Sequence, residues 1–442
     1  MGHHDCAEHR RLTPTPAGAG MSRRSFLLRG AGLAAAVYGA GRLASLPVFE
    51  EGVAEAAAGG PGTVLLTVFL EGGCDGMTVL APVGDPAYRK LRPTVGVKEG
   101  AGPRFSEDPR LQWHPSAAAL AQLHGEGKVT VMPSIGYEHP DQSHFVSRHF
   151  WEVGALDPRL QSGWLGRVLD RIGSPDNPLQ GVSLSDSLAP PLAAGSVPVA
   201  AVAKPEDFGF WLPGSWGAPA DLAPSGFAAS GRALLHSHDP AVVQAARAAA
   251  FAGGVRDALA PFADEDGKPT YTPRAAYPAS EDPFPARLAG FAAMLGAGLP
   301  IRAATIDGVG SYDTHADQAK TLPDDLKLTC DSLLAFQRDI EARGLAGRVL
   351  TLVWSEFGRR AQDNGSGTDH GAAGIGFLLG TRASGRMIGE FPGLDRLDKD
   401  GNLVATSDFR GLCGSLAADW FGVDPAAVLP GSSGIGRPVI LK

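Results

Sequence analysis

Short apolar runs that end in glycine or in polar residues recur along the chain and predict buried β-strands. The first covers residues 63–70, is rich in β-branched side chains, and ends in Glu71-Gly72-Gly73-Cys74-Asp75-Gly76. Continuous apolar runs of this length are typical of strands in a parallel sheet that is covered on both faces. Similar runs occupy residues 129–132, 197–202, 301–306, 349–354 and 376–379.

Helical patterns lie between these runs, at residues 115–123, 143–153, 240–259, 324–343 and 409–421. The third begins with Asp239-Pro240, a suitable N-cap followed by proline in the first helical turn. Alternating strands and helices predict an α/β fold, with a mostly parallel central sheet and helices on both faces. Segments rich in Pro, Gly, Ala and Ser predict surface insertions around residues 204–283.

Residues 1–58 have the order of features found in a twin-arginine signal peptide with a short leader. Arg23-Arg24 precede an uncharged stretch at 30–41, which is too short to span a bilayer, and small-residue cleavage sites follow at 54–58. The alternative is a chance arginine pair before an alanine-rich helix, and the cleavage sites favour the signal. We therefore expect the twin-arginine export machinery to deliver a domain of residues 59–442 to the periplasm, the cell envelope or the medium.

Charge and cysteine content narrow the classes of partner. The chain has 39 basic and 47 acidic residues; residues 1–58 hold six and five of these, so the remainder has a net charge of −9. This balance argues against a general nucleic-acid surface or an anionic-membrane surface. Three cysteines remain after residue 58 and lack the spacing of a zinc ribbon, and one unassigned disulfide is compatible with them. No later segment has 18 consecutive apolar residues, so no membrane span is expected after cleavage.

Candidate chemistry is concentrated in the loops that follow the predicted strands. In a doubly wound sheet, ligands bind at the carboxyl ends of the strands, so polar residues there are the first candidates. They are Asp75, Ser143, His144, Asp313, His315, Glu356, Arg359, Asp369 and His370.

Each candidate also has an ordinary structural interpretation. Asp75 can serve as a turn residue, and Ser143 as an N-cap of the helix that starts near it. Glu356 and Arg359 can form a salt bridge. The functional alternatives are a nucleophile at Ser143, beside the positive end of a helix, and an oxyanion clamp at Arg359.

The candidates as a group point to a metal-dependent reaction. Mixed Asp and His ligands suit zinc, manganese or iron better than calcium, which prefers oxygen alone. A divalent metal beside a hydroxyl and an arginine suits hydrolysis of a phosphate or sulfate ester.

Several of these motifs resemble the bacterial family called domain of unknown function 1501, over about residues 63–422. They are the runs 68–76 and 86–93, Gln142-Ser143-His144-Phe145, Tyr312-Asp313-Thr314-His315, Ser355-Glu356-Phe357-Gly358-Arg359 and Gly367-Thr368-Asp369-His370-Gly371. That family in turn is similar to the alkaline phosphatase and sulfatase superfamily. The resemblance implies an alkaline-phosphatase-like fold, with metal ligands at Asp75, Asp313, His315, Asp369 and His370.

The same resemblance implies Ser143 as the nucleophile, and Glu356 and Asp369 are alternatives for one ligand position of the superfamily. With Ser143, we count Arg359, His144 and Glu356 as the candidate catalytic residues. No histidine follows His370, whereas the superfamily's two-metal members have one near the C-terminus. Two hypotheses follow. The first is an exported metal-dependent hydrolase of a small-molecule or glycan ester. The second is a non-catalytic binding protein of the same fold, acting on cell-surface glycan or on a co-secreted partner.

Overall fold

An eight-stranded sheet forms the centre of the computed structural model, which describes residues 62–208, 231 and 233–442. Its strands are β1 (Val64–Phe69), β4 (Val129–Gly136), β5 (Gly181–Ser183), β6 (Ala200–Ala201), β7 (Ala303–Asp307), β8 (Val349–Trp354), β11 (Gly374–Leu379) and β12 (Ser407–Asp408). Across the sheet, they lie in the order β12-β4-β11-β8-β1-β7-β5-β6. Two small antiparallel pairs stand apart from it: β2 (Leu80–Ala81) with β3 (Gln112–Trp113), and β9 (Arg359–Asp363) with β10 (Thr368–His370).

Seven of the eight central strands run in one direction. The pairs β1–β7, β1–β8, β5–β6, β5–β7 and β4–β12 are parallel, and only β11 is antiparallel to its neighbours β4 and β8. The prediction of a mostly parallel sheet is therefore confirmed. The reversal of β11 has a local consequence, because residues that precede it lie at the edge where the other strands end.

Helices cover both faces of the sheet, as the sequence predicted. The helices are α1 (Gly76–Val79), α2 (Tyr88–Leu91), α3 (Ala118–Gly125), α4 (His144–Val153), α5 (Trp164–Ile172), α6 (Pro240–Leu259), α7 (Phe284–Gly296), α8 (Gln318–Ala342), α9 (Phe409–Ser415) and α10 (Pro425–Val428). Alternate residues of β1 belong to two different apolar clusters, one on each face of the sheet. Leu66 is in the cluster that includes α3, α7 and α8, and Leu65 is in the cluster that includes α4, α5 and α9.

Most predicted elements occur close to their predicted bounds, and the differences fall at element ends. The helix α6 has the predicted start at Pro240, whereas α8 begins at Gln318, six residues before the predicted start, and contains Pro323. The sequence did not predict β5 and β12 of the central sheet, the helices α5 and α7, or the β9–β10 hairpin. The predicted signal peptide at 1–58 lies outside the described residues, and so does part of the predicted insertion, at 209–230 and 232.

Two further observations concern cysteines and membranes. Among the described residues, Cys74, Cys330 and Cys413 are buried and form no disulfide. In the part of the chain that the structure describes, no helix has the length and apolar character needed to cross a bilayer.

Candidate metal centre

Three side chains from distant parts of the sequence meet at the carboxyl edge of the sheet. His144 opens α4, Asp313 follows β7, and His370 ends β10 just before the reversed strand β11. Their potential ligand atoms all lie within 4.8 Å of one another. Asp313 Oδ1 is 3.6 Å from His144 Nε2 and 3.3 Å from His370 Nε2. Two imidazoles and one carboxylate therefore converge on one point.

The hydrogen bonds of the two imidazoles fix which nitrogen of each ring faces that point. His144 Nδ1 is 2.7 Å from Glu356 Oε1, and His370 Nδ1 is 2.9 Å from the carbonyl oxygen of Gln142. Both partners are acceptors, so each Nδ1 carries a proton and donates. When each ring loses its second proton to a bound metal, its Nε2 presents a lone pair towards the point shared with Asp313, which is the tautomer that a metal requires.

Glu356 is the group that orients His144. It lies two residues beyond β8, is buried, and its two carboxylate oxygens accept the backbone N–H groups of Gly72 and Gly73, each at 3.0 Å. Burial would raise the pKa of Glu356, but the bonds from His144 and the backbone outweigh this and lower it. The carboxylate is therefore charged, and it aligns His144 as a second carboxylate behind a metal-binding imidazole does.

The Gly72-Gly73 turn can exist only with glycine at these positions. Both residues have positive φ, 106° and 70°, a region that side chains with a Cβ disfavour. A Cβ on Gly72 would lie 2.4 Å from the backbone nitrogen of Asp313, and one on Gly73 would lie 2.3 Å from the ring of Phe357. The turn after β1 thus binds the carboxylate of Glu356 through its backbone N–H groups and packs directly against the backbone of Asp313.

A third imidazole, His315, lies at the exposed rim of the cluster. Its Nε2 is 3.1 Å from Asp313 Oδ1 and 2.9 Å from His370 Nε2, and its Nδ1 is 3.2 Å from Asp369 Oδ1. Asp369 also accepts from Asn364 Nδ2 at 3.1 Å and is exposed. The structure therefore brings His315 to the cluster and leaves Asp369 behind it, as a partner of His315.

The distances around Asp313 are close to those of a tetrahedral ion. Ligand atoms at 2.0–2.1 Å from a tetrahedral zinc ion are about 3.3 Å apart. The separations between Asp313 Oδ1 and the three Nε2 atoms range from 3.1 to 3.6 Å. His315 Nε2 and His370 Nε2 are closer, at 2.9 Å, and the set whose ligand atoms all lie within 4.8 Å of one another is His144, Asp313 and His370.

His144 Nε2 gives a second test of the fit. This nitrogen is buried and has no hydrogen-bond partner among the described residues, since 3.6 Å to Asp313 is too long. A buried polar atom without a partner is costly, and a bound cation would satisfy it.

The electrostatics of the cluster also favour a cation. Burial raises the pKa of Asp313, but its three imidazole neighbours and Arg359 outweigh this and hold the pKa well below its usual range. Burial lowers the pKa of His144, but the carboxylates of Asp313 and Glu356 raise it to about 9. These side chains thus form a centre that attracts positive charge, either protons or a metal ion.

Arg359 does not have the clamp geometry that the sequence suggested. Its guanidinium is buried and donates to the backbone carbonyls of Gly72, Gly73, Tyr312 and Thr368, and to Asp313 Oδ1 at 2.6 Å. These bonds leave it enclosed by the protein. We therefore replace the predicted oxyanion role with a structural one, in which Arg359 holds the turn after β1 against Asp313.

Asp75 is also withdrawn as a metal ligand. It is the N-cap of α1 and forms a fully buried ion pair with Arg92, with Arg92 Nη1 at 2.5 Å and Nη2 at 3.1 Å. Its oxygens accept further bonds from Thr78 Oγ1 and Gln318 Nε2. All its acceptor positions serve this internal network, so the carboxylate has no direction left for an ion.

Ser143 occupies the predicted place at the start of α4. Its backbone is extended and its hydroxyl makes no capping hydrogen bond to the helix. Ser143 is therefore the N-cap residue by position, but its hydroxyl does not cap the helix, and the residue is half-buried. Its role as nucleophile stays a prediction.

Sequence reasoning missed one cationic residue beside the cluster. Arg360 Nε donates to the carbonyl oxygen of His370 at 3.3 Å, and its charge helps to lower the pKa of Asp369. Its terminal nitrogens have no acceptor among the described residues, and the side chain is half-buried. The sequence did contain a signal for Arg360. Successive residues of a β-strand face opposite sides, so the neighbours Arg359 and Arg360 in β9 have different surroundings.

Comparison with known proteins finds one matching family model and several solved structures of similar fold and low sequence identity. A family described as "Protein of unknown function (DUF1501)" matches residues 244–409, which include Asp313, Glu356 and His370. No curated protein matches the chain.

Solved structures that are similar to the chain include three at low identity. The C-terminal periplasmic domain of EcEptC from Escherichia coli, in complex with Zn, is 11% identical with a TM-score of 0.38, covering 87% of this chain and 93% of that one. The PsFucS1 sulfatase from Pseudoalteromonas sp. is 13% identical with a TM-score of 0.35, covering 89% and 78%. The phosphonate monoester hydrolase SpPMH from Silicibacter pomeroyi is 12% identical with a TM-score of 0.34, covering 85% and 75%.

Proposed function

We propose that the protein is an exported metal-dependent hydrolase of phosphate or sulfate esters. The observation that carries the proposal is the buried, unpartnered Nε2 of His144, which faces Asp313 and His370 in the tautomer that binds metal. His144, Asp313 and His370 would hold a divalent ion such as zinc, manganese or iron, with His315 as the fourth ligand. Such an ion, when bound, polarises the ester and stabilises the charge that develops on its oxygens.

The side chains of this protein supply the remaining functions. The hydroxyl of Ser143, at the N-terminal end of α4, is the proposed nucleophile, since that helix end favours an anion beside it. Arg360 is the proposed contact for the anionic oxygens of the ester, because its terminal nitrogens are uncommitted. Glu356 keeps the proton on Nδ1 of His144, and Asp369 orients His315.

Metal analysis with paired histidine variants tests the centre. The mature protein should retain close to one zinc, manganese or iron ion per chain, and His144→Ala should lose it. His149→Ala is the matched control, because His149 lies on the same helix but contacts the carbonyl of Asp157, 3.2 Å away. Equal metal content in the two variants would refute the centre.

A screen of aryl phosphate and aryl sulfate esters with each divalent metal tests the activity. Turnover should depend on added metal, and Ser143→Ala should reduce kcat by at least about 10²-fold if the hydroxyl attacks the ester. Wild-type turnover that survives in Ser143→Ala would assign the attack to water instead.

The second hypothesis is a non-catalytic binding protein of the same fold, acting on cell-surface glycan or on a co-secreted partner. The absence of any histidine after His370 favours it, because a second ion then lacks the ligand found near the C-terminus in two-metal members of the superfamily. Bound metal without turnover of any ester in the screen would support this hypothesis over the first.

The export proposal rests on the twin-arginine motif at residues 23–24. Replacing both arginines with lysine should retain the full-length chain in the cytoplasm. N-terminal sequencing of the exported wild type should find cleavage within 54–59. Export of the double-lysine variant at the wild-type level would contradict the proposal.

A further inference from the structure

A pocket of about 450 Å³ is lined by segments that lie close in sequence to His144 and His370 of the candidate metal centre. Two segments form its walls: Tyr137 to Pro140, which follows β4, and 403–408, which leads into β12. Ala372 and Ala373 also line the pocket. The volume is within the range of protein pockets that enclose small organic ligands.

The pocket adjoins the centre through the chain itself. Ala372 is two residues from His370, so their Cα atoms are at most about 7 Å apart. The wall Tyr137 to Pro140 ends four residues before His144, and the carbonyl of Gln142 accepts the hydrogen bond of His370 Nδ1. The pocket lining therefore comes within a few residues of the centre at two points of the chain, at Ala372 and at Pro140.

The polar lining of the pocket is acidic. Glu138, Asp398 and Asp408 contribute carboxylates, whereas the nearby cation, Arg410, already donates to Asp408 at 2.6 Å and to Glu138 at 3.3 Å. Three carboxylates against one arginine leave a net negative lining. Such a lining repels a second anionic group on the ligand and accepts hydrogen bonds from hydroxyl or ammonium groups.

The apolar lining complements these acceptors. Leu403, Val404 and the two alanines present a small apolar surface, and the Val404 side chain is unusually exposed for its type, at 45%. A flat group with an apolar face and a rim of hydroxyls matches both parts of the lining.

The backbone of the first wall is strained at His139. Its φ is 52°, a left-handed conformation that is uncommon for a residue with a side chain, and Pro140 follows it. Strain of this kind persists only where the surrounding structure enforces it, and it concentrates at ligand-binding segments. The hydroxyl of Tyr137 enforces it here, because it accepts the backbone N–H of Asp141 and closes the loop.

We propose that this pocket binds the alcohol half of the ester, and that this half is a sugar ring carrying no further anionic group. The inference rests on the proposed function for the chemical step, but the pocket and its lining are independent of it. The ester oxygens would lie at the metal centre and the ring between the two walls. The acidic rim selects neutral sugars or amino sugars over sugar acids.

The first test measures binding of the sugar alone, which needs no turnover. Glucose and glucosamine should give saturation-transfer NMR signals with the exported protein, and glucuronate should give none. Val404→Trp, which fills the pocket from an exposed position, should abolish the signals. Val439→Trp is the matched control, because Val439 is equally a surface valine, 64% exposed, and lies outside the pocket.

The second test uses turnover. For hexose 6-phosphate or 6-sulfate, Val404→Trp should lower kcat/KM by about tenfold or more, the range expected for a lost pocket contact. Glu138→Gln, a milder change at an exposed side chain, should narrow the discrimination against glucuronate. Val439→Trp, whose site is outside the pocket, should leave kcat/KM for these sugar esters within about twofold of the wild-type value.

The outcomes separate the two proposals. Sugar binding that Val404→Trp abolishes, without hydrolysis of any ester, supports the pocket and refutes the hydrolase. Hydrolysis of simple aryl esters with no sugar binding refutes the pocket alone. Equal behaviour of Val404→Trp and Val439→Trp, or glucuronate binding as tight as glucose binding, also overturns the pocket assignment.

Discussion

Replacing Glu356 with glutamine should destabilise the protein and weaken metal binding at the same time. The carboxylate accepts two backbone N–H groups, from Gly72 and Gly73, and the Nδ1 proton of His144. An amide of the same size keeps one acceptor oxygen but turns the other position into a donor. Whichever way the amide is oriented, at least one backbone N–H then faces another N–H.

The magnitude follows from these bonds. A buried donor left without an acceptor costs about 1–3 kcal/mol, and a hydrogen bond to a charged group contributes about 1.5–3 kcal/mol. Because the two effects overlap, we expect the free energy of unfolding to fall by about 2–4 kcal/mol. Zinc affinity should fall by about 10- to 100-fold, the usual effect of removing the carboxylate behind a ligating histidine.

Urea denaturation in excess chelator measures the first effect, and competition with a chelating dye measures the second. Glu71→Gln is the matched control, because Glu71 lies one residue before the same turn but is exposed, and its carboxylate accepts a hydrogen bond from Arg148 at 3.2 Å at the surface. Its free energy of unfolding should change by less than about 0.5 kcal/mol. If Glu356→Gln matches the control in stability, or keeps the wild-type zinc affinity, the proposed role of Glu356 is refuted.

Three further predictions concern other parts of the site. Asp75→Asn should cost about 3–5 kcal/mol at pH 7, because it leaves a buried arginine charge uncompensated. Burial raises the pKa of Asp75, but its arginine partner outweighs this and lowers the pKa below 3.8, so the wild type should lose this stability as the pH falls below about 4. The unfolding free energy of the variant should lack this pH-dependent loss. Identical pH profiles of the two proteins would refute the assignment. Gly72→Ala should displace Asp313 and lower both the stability of the protein and its zinc affinity. The control is Gly125→Ala, in a helix with open space around it, which should unfold at or above the wild-type urea midpoint. Equal midpoints and zinc affinities in the two variants would contradict the argument. Arg360→Gln should raise KM for anionic esters by about tenfold or more while leaving bound zinc unchanged, and an unchanged KM would exclude it as the anion contact.

The sequence predicted the sheet well because its strands are buried on both faces. Continuous apolar runs defined β1 and β8 almost to the residue, and the rule that sites lie at the carboxyl ends of strands located Asp313 and His144. The helix α4 was found from its apolar spacing and its polar start. These features are local or follow from the general geometry of parallel sheets.

The pairing of side chains within the site could not be predicted in this way. Glu356 and His144 are separated by 212 residues, and their contact depends on how α4 packs against the end of β8. The inward direction of Arg359 depends on the β9–β10 hairpin, which was interpreted as a loop. Asp75 turns away from the sheet edge because α1 begins directly after it.

The wide spacing of the three proposed ligands has a consequence for how the protein unfolds. His144 and Asp313 are 169 positions apart in the chain, and Asp313 and His370 are 57 apart. An ion held by all three would cross-link segments that only the finished sheet brings together, because the unfolded chain must close two long loops to assemble them. Metal would then bind only after the sheet has formed. The bound ion would stabilise the folded state and slow proteolysis until a chelator removes it.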